Sequence, residues 1–266
     1  MRAWIVLGAV LSALLSGCTT VPETGRRQVM LLSSSQEASM GLSAFAEIKK
    51  EEKISQDPVA NARVQRVGQR IAQSVGRDLP NAEWEFVVFD SDDLNAFALP
   101  GGKVGVYTGL LKIAETDAEL AAVMGHEVAH VTSRHGAERT SQQLLVLGGA
   151  LIAEAGMEAK KVEEEKRDLI RAAYGLGATV GVMLPYSRLH ESEADAIGLR
   201  FAAGAGYDPR AALSFWRKMA AAGKGSVKPP EFLSTHPSDD TRIRNLEQLI
   251  PNYLPLYEQS RARFEP

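Results

Sequence analysis

Apolar residues run almost unbroken from Trp4 to Leu15, behind a short positive start at Met1-Arg2, and the run ends at Leu15-Ser16-Gly17-Cys18. That pattern predicts a secretory leader, too short to span a bilayer as a mature helix. Residues 18–35 are polar and irregular and predict a tether. From Gln36 to about Gln56, Leu42, Phe45 and Ile48 recur at helical spacing. Asp57-Pro58 is a cap followed by proline at the first helical position. Val64, Val67, Ile71 and Val75 then share one face until Gly76 stops the helix. The period changes at Trp84–Phe89, a short aromatic and β-branched run that predicts a strand. Two more strands are expected at Asn95–Leu99 and Lys103–Tyr107, joined by a Pro100-Gly101-Gly102 turn. After Thr108 the pattern is helical almost to the end. Leu144–Ala153 and Leu169–Leu184 predict an amphipathic hairpin. Both runs fall short of a membrane span, and the charged stretch Lys160–Arg167 between them reads as a solvated surface.

Composition narrows the class. The 266 residues are 45% hydrophobic and 24% charged, which is ordinary globular usage. Thirty Lys+Arg against 33 Asp+Glu leave a formal charge of −3, so no basic field recommends nucleic acid as a partner. A single cysteine excludes a disulfide framework and any zinc site that needs two thiolates. That cysteine stands where a bacterial lipobox places it. Cleavage before Cys18 would make it the lipidation site, and Thr19 after it points to export to the outer membrane. The domain layout expected is a leader over 1–17, a lipidated tether over 18–35, a catalytic domain over 36–250 and a tail over 251–266.

The chemistry lies in the helix that Thr116-Asp117-Ala118-Glu119 should open as a capping box. It contains His126-Glu127-Val128-Ala129-His130. His126 and His130 are one turn apart, so both imidazoles can grip one metal ion. Glu127 lies beside the first of them, where its carboxylate can reach an attacking water as general base. A catalytic metal needs a third protein ligand. Downstream, in a helix expected to start near Ser187, Glu191 and Asp195 form an i, i+4 pair. One carboxylate can bind the metal while the other orients a ligand imidazole through its free N–H. Glu193 is the competing carboxylate, although its spacing from Asp195 fits the pair less well.

The chain resembles the gluzincin metallopeptidases, in the family of the heat-shock protease HtpX and the CAAX prenyl endopeptidases. It is most like the LoiP- and BepA-like periplasmic lipoproteins of that family. Gly25-Arg26-Arg27-Gln28, Asn95–Gly102, Met183–Arg188 and Thr235-His236-Pro237-Ser238 carry the likeness together with the pentad and Glu191-x-x-x-Asp195. The resemblance implies an α+β, predominantly helical, zincin-like fold with a small sheet whose edge strand lines the cleft. It implies one Zn²⁺ per chain, held by His126, His130 and Glu191, with Asp195 as the partner of His126. It implies that His236 reaches the metal centre, either donating to the tetrahedral oxyanion or occupying the open metal position at rest. Arg242 shares that segment and is a lesser candidate. His135 and His190 are not expected to be ligands, His135 lying near a helix end that suits its charge.

Asn95, Ala96, Phe97 and Ala98 are expected to bind substrate, since a strand edge offers backbone groups to an extended chain. The expected function is therefore a zinc endopeptidase acting on unfolded or misassembled envelope proteins. It would face the periplasm from the Gram-negative outer membrane, with other envelope proteases or assembly machinery as partners. A chaperone-like assembly factor at that membrane is the alternative.

Overall fold

The computed structural model describes residues 18–179, 183–223, 231–236 and 240–264. The predicted leader therefore lies outside the described residues. The chain divides into two compact units. Of the described residues, the larger takes in 34–133, 191–223, 231–236 and 240–264, and the smaller 18–33, 134–179 and 183–190.

In the larger unit, α1 (Ser34–Glu51) and α2 (Pro58–Val75) precede a three-stranded sheet. Asp57 caps α2 by accepting from the Val59 N–H, and Val64, Val67, Ile71 and Val75 are buried along one face, as their spacing predicts. Strands β3 (Glu85–Phe89), β4 (Ala96–Leu99) and β5 (Lys103–Tyr107) assemble in the order β3-β5-β4. β5 is central and buried throughout, parallel to β3 and antiparallel to β4. Gly101 and Gly102 turn the chain between β4 and β5 at φ 92° and 83°, a region closed to most side chains. Phe45, Phe89 and Tyr107 form an aromatic core with Phe97 packed on it.

Helix α3 (Thr108–Ile113) leads into α4 (Asp117–Thr132). The capping box is present: the Glu119 N–H donates to Thr116 Oγ1 at 3.2 Å, and the Thr116 N–H to Glu119 Oε2 at 3.1 Å. Beyond it, α4 is buried on nearly every side. It packs against α2, β4 and α8 (Ala211–Gly223). Helices α9 (Glu231–Thr235) and α10 (Asp240–Arg261) complete the unit. The expected boundary between residues 250 and 251 falls inside α10. Residues 251–261 are helical despite Pro251 and Pro255.

The smaller unit corrects the irregular tether expected at 18–35. Strands β1 (Cys18–Thr20) and β2 (Arg27–Val29) pair as an antiparallel hairpin. Its anchor is Glu138 on α5 (His135–Ala159). Arg26 grips that carboxylate with two bonds of 2.9 and 2.7 Å, and Gln28 and His190 donate to it at 3.2 and 2.9 Å. Burial opposes ionisation of Glu138, but the hydrogen bonds from His190 and Arg26 prevail and hold it down at about 2. His135 does not sit at a helix C-terminus as expected. It is the first residue of α5 and is buried, with its ring stacked on His190 at 4.2 Å. Arg26→Ala should cost about 3 kcal/mol by stranding a buried carboxylate. Limited proteolysis should then cut within 18–33 before any other part of the chain. Helix α6 (Glu164–Ala178) follows α5, and α7 (Leu184–Gly204) starts three residues before the expected Ser187.

Candidate active site

All the metal-site residues inferred from the sequence lie in the larger unit, on two helices that cross through glycine. A Cβ placed on Gly198 of α7 would lie 2.8 Å from the His126 backbone nitrogen, and one on Gly125 of α4 would lie 2.9 Å from the Gly198 carbonyl oxygen. Neither position has room for a methyl group. The contact brings the pentad of α4 against the Glu191–Asp195 turn of α7. Gly198→Ala should therefore force the helices apart and weaken metal binding about tenfold or more, with helical content retained. Competition with a chromophoric chelator, alongside circular dichroism, measures both.

Four side chains converge there. His126 Nε2 lies 3.1 Å from His130 Nε2 and 3.3 Å from Glu191 Oε2. His130 Nε2 lies 3.4 Å from Glu191 Oε1. His236 Nδ1 is 3.3 Å from His126 Nε2 and 3.0 Å from Glu191 Oε1. One donor atom from each of the four fits within 4.8 Å of the others. Tetrahedral bonds of ~2.0–2.1 Å put ligand atoms ~3.3 Å apart, so these spacings are those of a filled zinc shell. Three imidazoles and a carboxylate are also a suitable donor set for that ion. The residues present fit zinc.

Glu127 is buried at 4% exposure, and its Oε1 has no hydrogen-bond partner among the described residues. His236 Nε2 approaches it at 3.5 Å. Burial pushes the carboxyl up to about 7. Glu191 adds to that, while His236 and Arg242 oppose it. Glu191 behaves in the opposite way: burial resists its ionisation, but bonds from His126 and His236 hold it far below the usual carboxylate range.

Behind the ligands, His126 Nδ1 lies 3.0 Å from Asp195 Oδ1. Accepting that proton fixes the tautomer that leaves Nε2 free to bind metal. Asp195 is in turn held by Arg242, whose Nε and Nη2 donate at 2.8 and 2.6 Å. Arg242 also lies 3.4 Å over the Trp216 ring, and Trp216 meets His126 edge to face at 5.5 Å. Asp195 thus lies beside His126, the partner expected for it, while Arg242, the lesser candidate of the His236 segment, lies at the centre of this network. Only the proximity of an arginine to the His236 segment hinted at the Arg242 role. Glu193 is buried but lies outside the converging set. His190 belongs to the Glu138 cluster.

Of the expected substrate residues, Ala96, Phe97 and Ala98 lie in β4, at the sheet edge and packed beside α4. The Asn95 carbonyl accepts from the Tyr107 N–H at 3.0 Å. The Phe97 ring is committed to the core, 6.2 Å from Phe45 and 6.0 Å from Phe89. The Phe97 ring is therefore not available to a substrate. The structure says nothing of the Cys18 side chain.

A small sheet beside a buried helix, with paired imidazoles, a carboxylate from a second helix and an unbonded glutamate next to them, defines a zincin-like metallopeptidase domain. The chain belongs to peptidase family M48, whose model matches residues 58–250. It is 35% identical over 234 residues to the mitochondrial metalloendopeptidase OMA1 of Schizosaccharomyces pombe, covering 87% of this chain and 66% of that one. It is 27% identical over 270 residues to the β-barrel assembly-enhancing protease of Escherichia coli, covering 98% and 53%. A putative β-barrel assembly-enhancing protease of Vibrio cholerae is 30% identical over 250 residues, covering 91% and 51%. The chain thus spans from about half to just under two thirds of the length of these relatives.

Proposed function

We propose that this chain is a zinc-dependent endopeptidase of the bacterial envelope, tethered through lipid on Cys18, that cleaves unfolded or misassembled polypeptides. The observation that carries the reading is the meeting of His126, His130 and Glu191 beside an unbonded, buried Glu127 carboxylate oxygen. Pure binding needs no such general base. Zinc held by His126, His130 and Glu191 would supply Lewis acidity to the scissile carbonyl and acidify an attacking water. Glu127 takes the proton from that water through Oε1 and passes it to the leaving amine. Asp195, fixed by Arg242, keeps His126 in its binding tautomer. His236 Nδ1 lies beside the ligand atoms of His126 and Glu191, which supports a resting arrangement in which the ring would block the site until substrate entry displaced it. Freed from the cluster, the imidazole is placed to donate to the oxyanion.

The position of β4 at the edge of the sheet supports an extended substrate recognised through its backbone, hence broad sequence preference. The names of the relatives divide between a mitochondrial enzyme and an enhancer of β-barrel assembly. The Leu15-Ser16-Gly17-Cys18 run favours the envelope. The second name also supports an assembly role independent of cleavage, which would survive Glu127→Gln in a deletion strain.

Casein digestion by the purified chain tests the proposal. Activity should vanish with a zinc chelator and return on adding equimolar zinc, which metal analysis would place at one per chain. Cleavage indifferent to the chelator would overturn it.

A further inference from the structure

The smaller unit exposes an apolar surface that the proposed catalysis does not use. On α5, Leu144, Leu147, Leu151 and Ile152 are 47%, 57%, 64% and 58% exposed, and on α6 Leu169 and Leu176 are 71% and 67% exposed. No residue of α6 is buried. Between the helices lies a cavity of about 520 Å³, lined by Val146, Leu147, Ala150, Met157, Ile170 and Tyr174 among others. Leu144, Leu147, Leu151 and Ile152 fall within an arc of roughly 140° around α5, one broad apolar stripe. A stripe of that width is what a helix lying in a membrane surface turns towards the acyl region.

Further observations point to a membrane as the occupant. Residues 1–17, outside the described structure, carry the apolar run and end at Cys18, the first residue of β1. On the proposed tether, the membrane-attached end of the chain would lead directly into this unit. The entering segment is fastened to α5 just ahead of the apolar stretch, through Arg26 on Glu138 and the Leu31 N–H on Ser141 at 2.9 Å. Exposed Arg139 precedes the stretch and exposed Lys160 and Lys161 follow it, so cations able to reach phosphate head groups flank it. No described helix is long and apolar enough to cross a membrane. The far end of the hairpin is highly charged, with Arg171 bonded to Glu154 at 2.7 Å and to Glu164 at 2.8 Å, which opposes tip-first insertion.

We propose that the α5–α6 hairpin rests along the phospholipid bilayer, with its exposed leucines below the head groups. This deepens the proposed tether and rests on that reading. The test uses the full mature chain, acylated at Cys18, on vesicles of phosphatidylethanolamine and phosphatidylglycerol. The body has no other cysteine, so Leu147→Cys, Leu151→Cys, Leu169→Cys and Leu176→Cys each accept one environment-sensitive fluorophore, with Glu47→Cys on α1 as the control. The hairpin probes should be quenched several-fold more than the control by spin labels on the lipid acyl chains. Flotation of the chain with hairpin probes quenched only by aqueous iodide would overturn the proposal and leave the tether standing. Probes shielded from both quenchers, with crosslinking between chains, would assign the surface to a second copy instead. Failure to float would overturn tether and hairpin together.

Discussion

Glu127→Gln is expected to lower peptide hydrolysis about 10³-fold while leaving zinc stoichiometry unchanged. The amide keeps the size of the side chain and sits beside the ligands, not among them, so the metal loses nothing. What disappears is the proton acceptor. The same substitution should act in the opposite direction on stability. In the metal-free protein, burial pushes the Glu127 carboxyl up to about 7, above its ordinary 4.5. A group raised in the folded state stabilises fully below its unfolded value and loses that contribution as pH rises through the folded one. Stripped wild type should therefore weaken between about pH 5 and pH 8, where a buried carboxylate must ionise. The glutamine variant carries no such penalty. At pH 8 it should unfold later in urea, by on the order of 2–3 kcal/mol, with the gap closing towards pH 5. Added zinc should remove the difference, because a cation beside Glu127 favours its charged form. Full turnover by the variant would remove Glu127 as the base. A stability gap that ignored pH would show that its carboxyl is not the strained group.

Those effects involve residues whose candidate roles could be read from the sequence because they depend on local spacing. The pentad needs one helical turn to bring two imidazoles together, and Thr116 and Glu119 mark the start of the helix that contains it. The Glu191–Asp195 pair obeys the same rule on α7. The sheet followed from strand propensity and a proline-glycine turn, and its strands differ from expectation by one residue at most. Contacts made across the fold were hidden. The hairpin over residues 18–29 has strands of three residues with no apolar alternation, and Glu138, which fixes it, lies 112 residues beyond Arg26. The first helix ends at Glu51, short of the Gln56 its pattern allows, because Ile54 bridges to Phe89 instead. The Trp216–Arg242 stack joins α8 to α10 by a cation over a ring, which leaves no spacing rule to read. His236 lies between these extremes: its residue type and neighbours indicated a role, but only three dimensions bring its Nδ1 to the ligand atoms.

Arg242→Ala should be the most destabilising single change in the site, costing about 3–5 kcal/mol. Arg242 is 6% exposed and supplies the countercharge for Asp195, which is 5% exposed. Burial resists the ionisation of Asp195, and the charge of Arg242 leads the interactions that keep it ionised. Without the guanidinium, Asp195 either stays charged and unpaired or takes up a proton. A protonated Asp195 accepts weakly from His126 Nδ1, so the imidazole is no longer held for metal. Zinc affinity should fall about 10–100-fold and recover partly as pH rises and Asp195 ionises again. Arg242→Lys should restore some of the charge, but neither the two-pronged grip nor the stack on Trp216. The decisive comparison is Arg242→Ala combined with Asp195→Asn. If the loss arises from an uncompensated buried charge, the double variant should be more stable than Arg242→Ala alone, yet still poor in zinc binding. If the loss arises from packing over Trp216, removing the carboxylate should recover nothing. Melting curves with and without zinc separate the two outcomes, because one term depends on charge and the other on contact area.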